Sequence, residues 1–136
     1  LAALQTAALA GVDIRLMIPA RADVKITYLA TCSYLKDVLK AGVKVFLYNK
    51  GFLHSKLMVS DDALSTVGST NMDFRSFEHN FEVNAFMYDE QTALRMKQIF
   101  LQDQKDCTQL YLKKWEKRPR WQRIKESVVR VLSPLL

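Results

Sequence analysis

Six positions between residues 54 and 71 carry residue types that could act together on a phosphate ester. They are His54, Lys56, Asp61, Gly68, Ser69 and Asn71. An imidazole can attack phosphorus or protonate a leaving alcohol, while an ammonium, a hydroxyl and an amide can hold the non-bridging oxygens. On average residue usage, these six identities at fixed spacing would arise by chance about once in 10^8 starting positions. The segment therefore indicates a site.

Alternation of apolar and polar residues predicts the elements that position this segment. Residues 52–60 predict a strand, on which His54 and Lys56, two residues apart, would share one face. A turn at Asp61 leads into a second strand. Gly68 would end that second strand, where a residue without a side chain lets backbone N–H groups approach an oxyanion.

The whole chain alternates predicted helices with predicted strands. Helices are predicted over residues 1–10, 33–40 and 89 to about 112, and strands over residues 12–18, 43–48, 52–60, 64–67 and 81–88. This order predicts an α/β fold with one mixed sheet of roughly five strands, flanked by helices on both faces. We expect residues 1–112 to form one domain.

Residues 113–136 form a basic tail that differs from the rest of the chain. The tail holds eight basic and two acidic residues and accounts for the whole formal net charge of +6. An apolar stripe at helical spacing comprises Trp121, Ile124, Val128, Val131 and Leu135. Two interpretations stay open: a helix packed on its own domain, or a basic amphipathic helix on an anionic membrane surface. The candidate anion and membrane contacts are Arg120, Trp121, Arg123 and Lys125.

The composition excludes several protein classes. A chain of 136 residues with 49% hydrophobic and 25% charged residues can bury a core and is not disordered. No stretch approaches 18 consecutive apolar residues, which predicts a soluble chain without a membrane span. Cys32 and Cys107 do not make a disulfide scaffold, and no zinc-ligand spacing occurs, so no metal is expected. Ser69 lacks the G-x-S-x-G context of a serine hydrolase.

The motif resembles a known superfamily. The pattern H-x-K-x4-D-x6-G-S-x-N is the signature of the phospholipase D superfamily, often called the HKD motif. The stretches GFLHSK and VGSTNMDFRSFEHNFEVNAF resemble the C-terminal half of the bacterial cardiolipin synthases. The likeness extends over essentially the whole chain, including the ending WQRIKESVVRVLSPLL. It implies the α/β half-domain of phospholipase D.

The resemblance implies a role for each matching residue. His54 would be one of two active-site histidines, and Lys56 and Asn71 would bind the phosphate. Ser69 would add a hydroxyl donor. Glu82 falls where the family places the carboxylate that hydrogen-bonds the catalytic imidazole, which would fix its tautomer and favour its protonated form.

Two further positions of the motif are expected to support the site. Asp61 lies seven residues beyond His54 at the predicted turn, which favours a structural role, by capping or pairing, over direct chemistry. Gly68 would contribute through its backbone alone.

The resemblance also implies a reaction that one imidazole cannot complete. Family members are thought to form a phosphohistidine without metal or other cofactor: one histidine attacks phosphorus and a second, on the opposite side, protonates the leaving alcohol. The chain has one copy of the motif, and His79 has no H-x-K context. We therefore expect half an active site. One possibility is that the chain is part of a two-motif protein, which its start at Leu1 favours, and His54 would then be the general acid. The other is that two copies of the chain pair across a two-fold axis.

The function implied is that of the C-terminal catalytic half of a phosphatidyltransferase at the bacterial cytoplasmic membrane. It would convert two phosphatidylglycerol molecules into cardiolipin and glycerol. The alternatives are a homodimeric phosphodiesterase or nuclease and a non-catalytic fragment that binds anionic lipid. The expected partners are anionic phospholipid, a membrane surface, and the missing motif-bearing half or a second copy. Residues 1–112 hold 12 basic and 12 acidic side chains, and this neutral balance argues against nucleic acid.

Overall fold

A computed structural model of the chain describes residues 1–21 and 24–132. The elements, in chain order, are α1 Ala2–Leu9, β1 Arg15–Pro19, α2 Lys25–Lys40, β2 Lys44–Tyr48, β3 Lys56–Ser60, β4 Leu64–Gly68, α3 Phe74–Glu78, β5 Asn84–Met87, α4 Glu90–Gln104, β6 Cys107–Leu110, α5 Leu112–Glu116 and α6 Arg120–Leu132. The six helices and six strands of these described residues confirm the α/β class. Within the described residues, no helix has both the length and the apolar character needed to cross a bilayer.

The described strands form two sheets of three strands, where the sequence predicts one sheet of about five. The first sheet has the order β1-β2-β6 and is mixed, because β1 is parallel to β2 and β6 is antiparallel to it. The second has the order β3-β4-β5 and is antiparallel throughout. The motif therefore lies on a sheet of its own.

Strand β6 corrects the prediction of one long helix over residues 89 to about 112. The helix ends at Gln104, and residues 107–110 pair with β2 instead. The side-chain amide of Asn49 donates to the Asp106 carbonyl at 3.2 Å and to Thr108 Oγ1 at 2.9 Å. Pairing with a distant strand outweighs the local helical pattern here. Helix α2 also begins at Lys25, eight residues before the predicted start.

The main core lies between α2 and the first sheet. Its buried members are Ile18, Cys32, Leu35, Val38, Val43, Val45 and Trp115. Consecutive strand residues point to opposite faces, and both Val45 and Phe46 of β2 are buried. Both faces of this strand are therefore covered, as the prediction of helices on both faces requires.

Burial also raises the pKa of the Cys32 thiol to about 11, so this cysteine is a neutral core residue.

The turn between β3 and β4 has left-handed backbone at both central positions. Asp61 has a φ of 51° and Asp62 a φ of 59°, and the Ala63 N–H donates to the Ser60 carbonyl at 3.2 Å. Two successive positive φ values are typical of the tight hairpin turns in which aspartate is favoured. Lys97 of α4 forms an ion pair with Asp62 at 2.6 Å, which ties the turn to the helix that contacts β3 and β4.

Candidate active site

Antiparallel pairing brings three separate parts of the motif region to one end of the second sheet. Lys56 at the start of β3 is paired with Gly68 at the end of β4, and Gly68 is paired with Asn84 at the start of β5. Directly paired residues share a face, so Lys56 and Asn84 flank Gly68 on the same face. The segments that carry His54, Ser69 and Glu82 continue from this end.

Gly68 is required because β5 passes very close to it. A Cβ atom added at this position would lie 2.7 Å from Asn84 Cα and would overlap the carbonyl oxygen of Val83. The side-chain oxygen of Asn84 is a third obstacle and could turn away, but the other two are backbone atoms, which cannot move without displacing the strand. The glycine therefore permits a close approach of two strands, a reason additional to the backbone access to an oxyanion that the sequence suggested.

Ser69 and Glu82 are joined by a direct hydrogen bond. The Ser69 hydroxyl donates to Glu82 Oε2, and its oxygen accepts from the Val83 N–H at 3.0 Å. The Ser69 N–H also donates to the Val83 carbonyl at 2.9 Å. Because a hydroxyl has one proton, Ser69 can donate to a phosphate oxygen only if its bond to Glu82 opens.

The surroundings of Glu82 favour its charged form. The hydrogen bond from Ser69 is the largest cause of a lowered pKa at Glu82, followed by hydrogen bonds from Ser76 and Asn80. The Asn80 side-chain amide lies 3.3 Å from Glu82 Oε1. The positive charge of Lys56 acts in the same direction. Glu82 is thus a carboxylate at neutral pH, with Lys56 within electrostatic reach.

His54 lies just before β3 and is exposed, where the sequence analysis places it within the strand. Its ring stacks on Phe52, with centroids 5.5 Å apart and ring planes 25° apart. Lys56 Nζ donates to the backbone carbonyl of His54 at 2.8 Å, so the two motif residues remain in contact. Among the contacts of the described residues there is no hydrogen bond between His54 and Glu82, and this pairing stays a prediction.

Asn71 lies on the loop that leads from β4 into α3. Its backbone N–H donates to the hydroxyl of Ser76 at 3.2 Å, while the Ser76 N–H donates to Asp73 Oδ1 at 2.8 Å. Asp73 is the N-cap of α3, as a short polar side chain at this position is expected to be. The hydroxyl of buried Ser76 also contributes to the lowered pKa of Glu82, so it lies near both the backbone of Asn71 and that carboxylate. Asn71 itself is exposed.

The structure separates the other candidate residues from this cluster. Asp61 follows Ser60, the last residue of β3, which lies about 13 Å from Lys56 at the usual rise of a strand, and it accepts from the Ser60 hydroxyl at 3.0 Å. His79 lies at the end of α3 with its ring edge-to-face against Phe74. Helix α6, with its basic residues, packs against α2. Among the described residues no group of three or more histidine, cysteine, aspartate or glutamate side chains could hold a metal ion.

Sequence reasoning did not assign a role to Ser76 or Asn80 in holding Glu82. Asn80 lies two residues before Glu82 in the stretch EHNFE, and this spacing is the one local signal that could have found it. Ser76 lies near Glu82 only because helix α3 turns the chain back toward the sheet. That helix was not predicted.

Comparison with known proteins identifies the chain's relatives. A family model described as "Cardiolipin synthase, PLD-like domain" matches residues 1–104. Over all 136 residues, the chain is 47% identical to a cardiolipin synthase of Geobacillus sp. (strain WCH70), 46% to cardiolipin synthase 2 of Bacillus anthracis and 46% to a cardiolipin synthase of Clostridium perfringens (strain SM101 / Type A). The chain spans 27%, 26% and 29% of the lengths of these curated relatives.

Proposed function

Because the chain belongs to the phospholipase D-like domain family of the cardiolipin synthases, we propose that it supplies one half of a phosphatidyltransferase active site. The observation that carries this proposal is the pairing of Lys56, Gly68 and Asn84 across three strands. This pairing gathers the H-x-K segment, Ser69 and an ionised Glu82 at one end of a sheet. A cation, neutral donors and an imidazole are the groups that displacement at a phosphodiester needs.

The reaction runs through His54 and a second histidine that lies outside this chain or in another copy of it. One imidazole nitrogen attacks the phosphorus of phosphatidylglycerol and forms a P–N bond, while the P–O bond to glycerol breaks. The other histidine gives its proton to the departing oxygen. The hydroxyl of a second phosphatidylglycerol then attacks, returns its proton to that histidine and breaks the P–N bond, which leaves cardiolipin and free glycerol.

Within this scheme, His54 acts as either the nucleophile or the general acid. Lys56 would exchange its bond to the His54 carbonyl for a non-bridging phosphate oxygen, and the exposed side chain of Asn71 would hold another. Ser69 keeps Glu82 in place, and Glu82 would accept from the imidazole once substrate has drawn His54 toward the sheet. Because both substrates are lipids, the proposed place of action is the surface of the bacterial cytoplasmic membrane.

A chimera tests this function. The matching 27% of the Geobacillus relative is replaced by this chain, and conversion of phosphatidylglycerol to cardiolipin and glycerol is measured. We expect turnover, its loss by several orders of magnitude in His54→Ala, and its retention in the matched control His79→Ala. Turnover that survives His54→Ala contradicts the proposal.

The second candidate is a homodimeric phosphodiesterase. The observation that favours it is the single H-x-K sequence, since two copies of the chain would bring two His54 side chains to one phosphorus. It requires that the chain alone form a dimer that hydrolyses simple phosphodiesters.

A further inference from the structure

Helix α6 is attached to the domain through its polar side. Glu126 is buried, and its two carboxylate oxygens accept from the guanidinium of Arg118 at 2.6 and 3.0 Å. Arg118 also donates to the Trp115 carbonyl at 3.0 Å and lies over the Trp115 ring at 3.2 Å. Since Trp115 belongs to the main core, this ion pair anchors α6 to the interior.

A second set of polar contacts holds α6 against α2. Arg130 pairs with Asp37 at 2.9 Å and lies 4.5 Å from the centre of the Tyr34 ring. Separately, Lys36 of α2 pairs at 3.2 Å with Glu116 of α5, the helix that precedes α6. Glu126 and Arg130 are four residues apart, so they lie on the same side of the helix. The contacts of Glu126 and Arg130 fix how α6 is rotated about its own axis.

The apolar stripe of α6 consequently faces away from the domain. The exposed fractions of its members are 60% for Trp121, 64% for Ile124, 60% for Val128 and 78% for Val131. Leu135, which the sequence adds to the stripe, lies outside the described residues. At 100° per residue, Ile124 and Val128 each point about 160° away from Glu126. The apolar face, which normally packs on the domain, is here exposed to solvent.

Basic residues border the stripe on both sides. On a helical projection at about 100° per residue, Arg120 lies about 20° beyond Val131 at one edge of the stripe and Lys125 about 40° beyond Trp121 at the other, while Arg123 lies about 60° further round than Arg120. All three are exposed, and none forms an ion pair with another described residue. Lys125 Nζ lies 4.7 Å from the centre of the Trp121 ring, so that an aromatic ring and a cation share one border.

We propose that α6 lies flat on a bilayer that contains anionic phospholipid, with its apolar stripe inserted at the headgroup boundary. Charge complementarity selects this occupant. A protein partner that covered the stripe would bury the unpaired cations of Arg120 and Lys125 at its rim. In a bilayer, by contrast, anionic headgroups lie next to acyl chains, which matches the order of charged and apolar residues on this helix. Thirteen residues give a helix about 20 Å long, suited to the interface. The inference concerns a surface separate from the phosphodiester site and does not depend on His54.

Vesicle binding by this chain tests the proposal. Co-sedimentation and tryptophan emission are measured with vesicles of phosphatidylcholine alone and of phosphatidylcholine mixed with phosphatidylglycerol. Trp115 is already buried, so a blue shift of the emission reports insertion of Trp121. We expect binding and a blue shift with the mixed vesicles only.

Two pairs of substitutions separate the apolar from the charged contribution. Ile124→Gln with Val128→Gln should abolish both binding and the blue shift, while the circular dichroism spectrum stays unchanged because both side chains are exposed. The matched control is Leu9→Gln with Val12→Gln, which removes two exposed apolar residues elsewhere. Arg120→Gln with Arg123→Gln should weaken binding about 30-fold, since each cation near an anionic surface is worth about fivefold. Its control is Arg95→Gln on α4 with Lys105→Gln just after that helix.

Two results would overturn the proposal. The first is vesicle binding that the Ile124 and Val128 substitutions leave intact. The second is a dimer, detected by light scattering, that these substitutions convert to a monomer, because a second copy would then cover the stripe. If the chimera makes no cardiolipin while this chain still binds the mixed vesicles, the proposed function is contradicted and the proposal for α6 is not.

Discussion

The hydroxyl of Ser69 donates a hydrogen bond to the carboxylate of Glu82, which joins the segment after β4 to the segment before β5. Thirteen residues separate the two in the chain, yet the pairing of β4 with β5 brings them together at the end of the sheet that holds the H-x-K segment. The bond also explains why Glu82 stays ionised.

Removal of the Ser69 hydroxyl should raise the pKa of Glu82. In the folded chain that pKa lies below its ordinary value near 4.5, with the Ser69 hydrogen bond as the largest cause. A depressed pKa gives a contribution to stability that is present above the unfolded value and is lost as pH falls through the folded one. We therefore expect the carboxyl carbon of Glu82, followed by NMR, to titrate at higher pH in Ser69→Ala. The control Ser55→Ala should not move it, and an unchanged titration in Ser69→Ala would refute the assignment.

Gly68→Ala should destabilise the fold. The added Cβ would overlap backbone atoms of Val83 and Asn84, so the free energy of unfolding should fall by about 1–3 kcal/mol. Gly51 offers a matched control, because a Cβ there meets nothing within 4 Å. Gly51→Ala should change the free energy of unfolding by less than about 0.5 kcal/mol. Equal effects of both substitutions in urea denaturation would rule out the close approach of β5.

Asp61→Asn should leave the chimera active, in contrast to His54→Ala. Asp61 lies in a left-handed turn beyond the far end of β3, and asparagine tolerates that backbone as well as aspartate does. We expect kcat/KM within about threefold of the unsubstituted chimera, a change of less than about 1 kcal/mol in transition-state stabilisation. Asp61→Val should instead lower the Tm, because a β-branched residue resists positive φ. A loss of kcat/KM in Asp61→Asn as large as that in His54→Ala would give Asp61 a direct role in the chemistry.

Glu126→Ala should be among the more costly single substitutions in the chain. It leaves the largely buried guanidinium of Arg118 without its carboxylate, which is expected to lower the free energy of unfolding by about 3 kcal/mol. Lys36→Ala removes the exposed pair with Glu116 and should cost less than about 1 kcal/mol. Urea denaturation of both variants measures the difference. Similar small losses would mean that α6 is not anchored through Glu126.

The motif and the α/β class were predictable because they depend on local signals. His54, Lys56, Ser69 and Asn71 are recognisable from identity and spacing alone, and the alternation of apolar and polar residues predicts the neighbouring strands β3 and β4. The contact between Ser69 and Glu82 was not predictable, because it depends on the register of β4 with β5. Likewise, β6 exists because Cys107–Leu110 pairs with a strand some 60 residues earlier.

The least predictable feature was which side of α6 faces the domain. An amphipathic pattern indicates that a helix has an apolar side, and packing of that side on the domain is the usual outcome. Here the buried pair of Arg118 with Glu126 takes the inner position and turns the stripe outward. Arg118 precedes the helix, so the helical pattern of residues 120–132 does not include it.

The molar mass and the activity of this chain in solution test most directly whether it holds half of an active site. Light scattering on the chain is run beside hydrolysis of a chromogenic phosphodiester. We predict a monomer that hydrolyses nothing above background, because one His54 cannot serve both sides of a phosphorus. A dimer whose hydrolytic activity disappears in His54→Ala would contradict this and show that two copies complete the site.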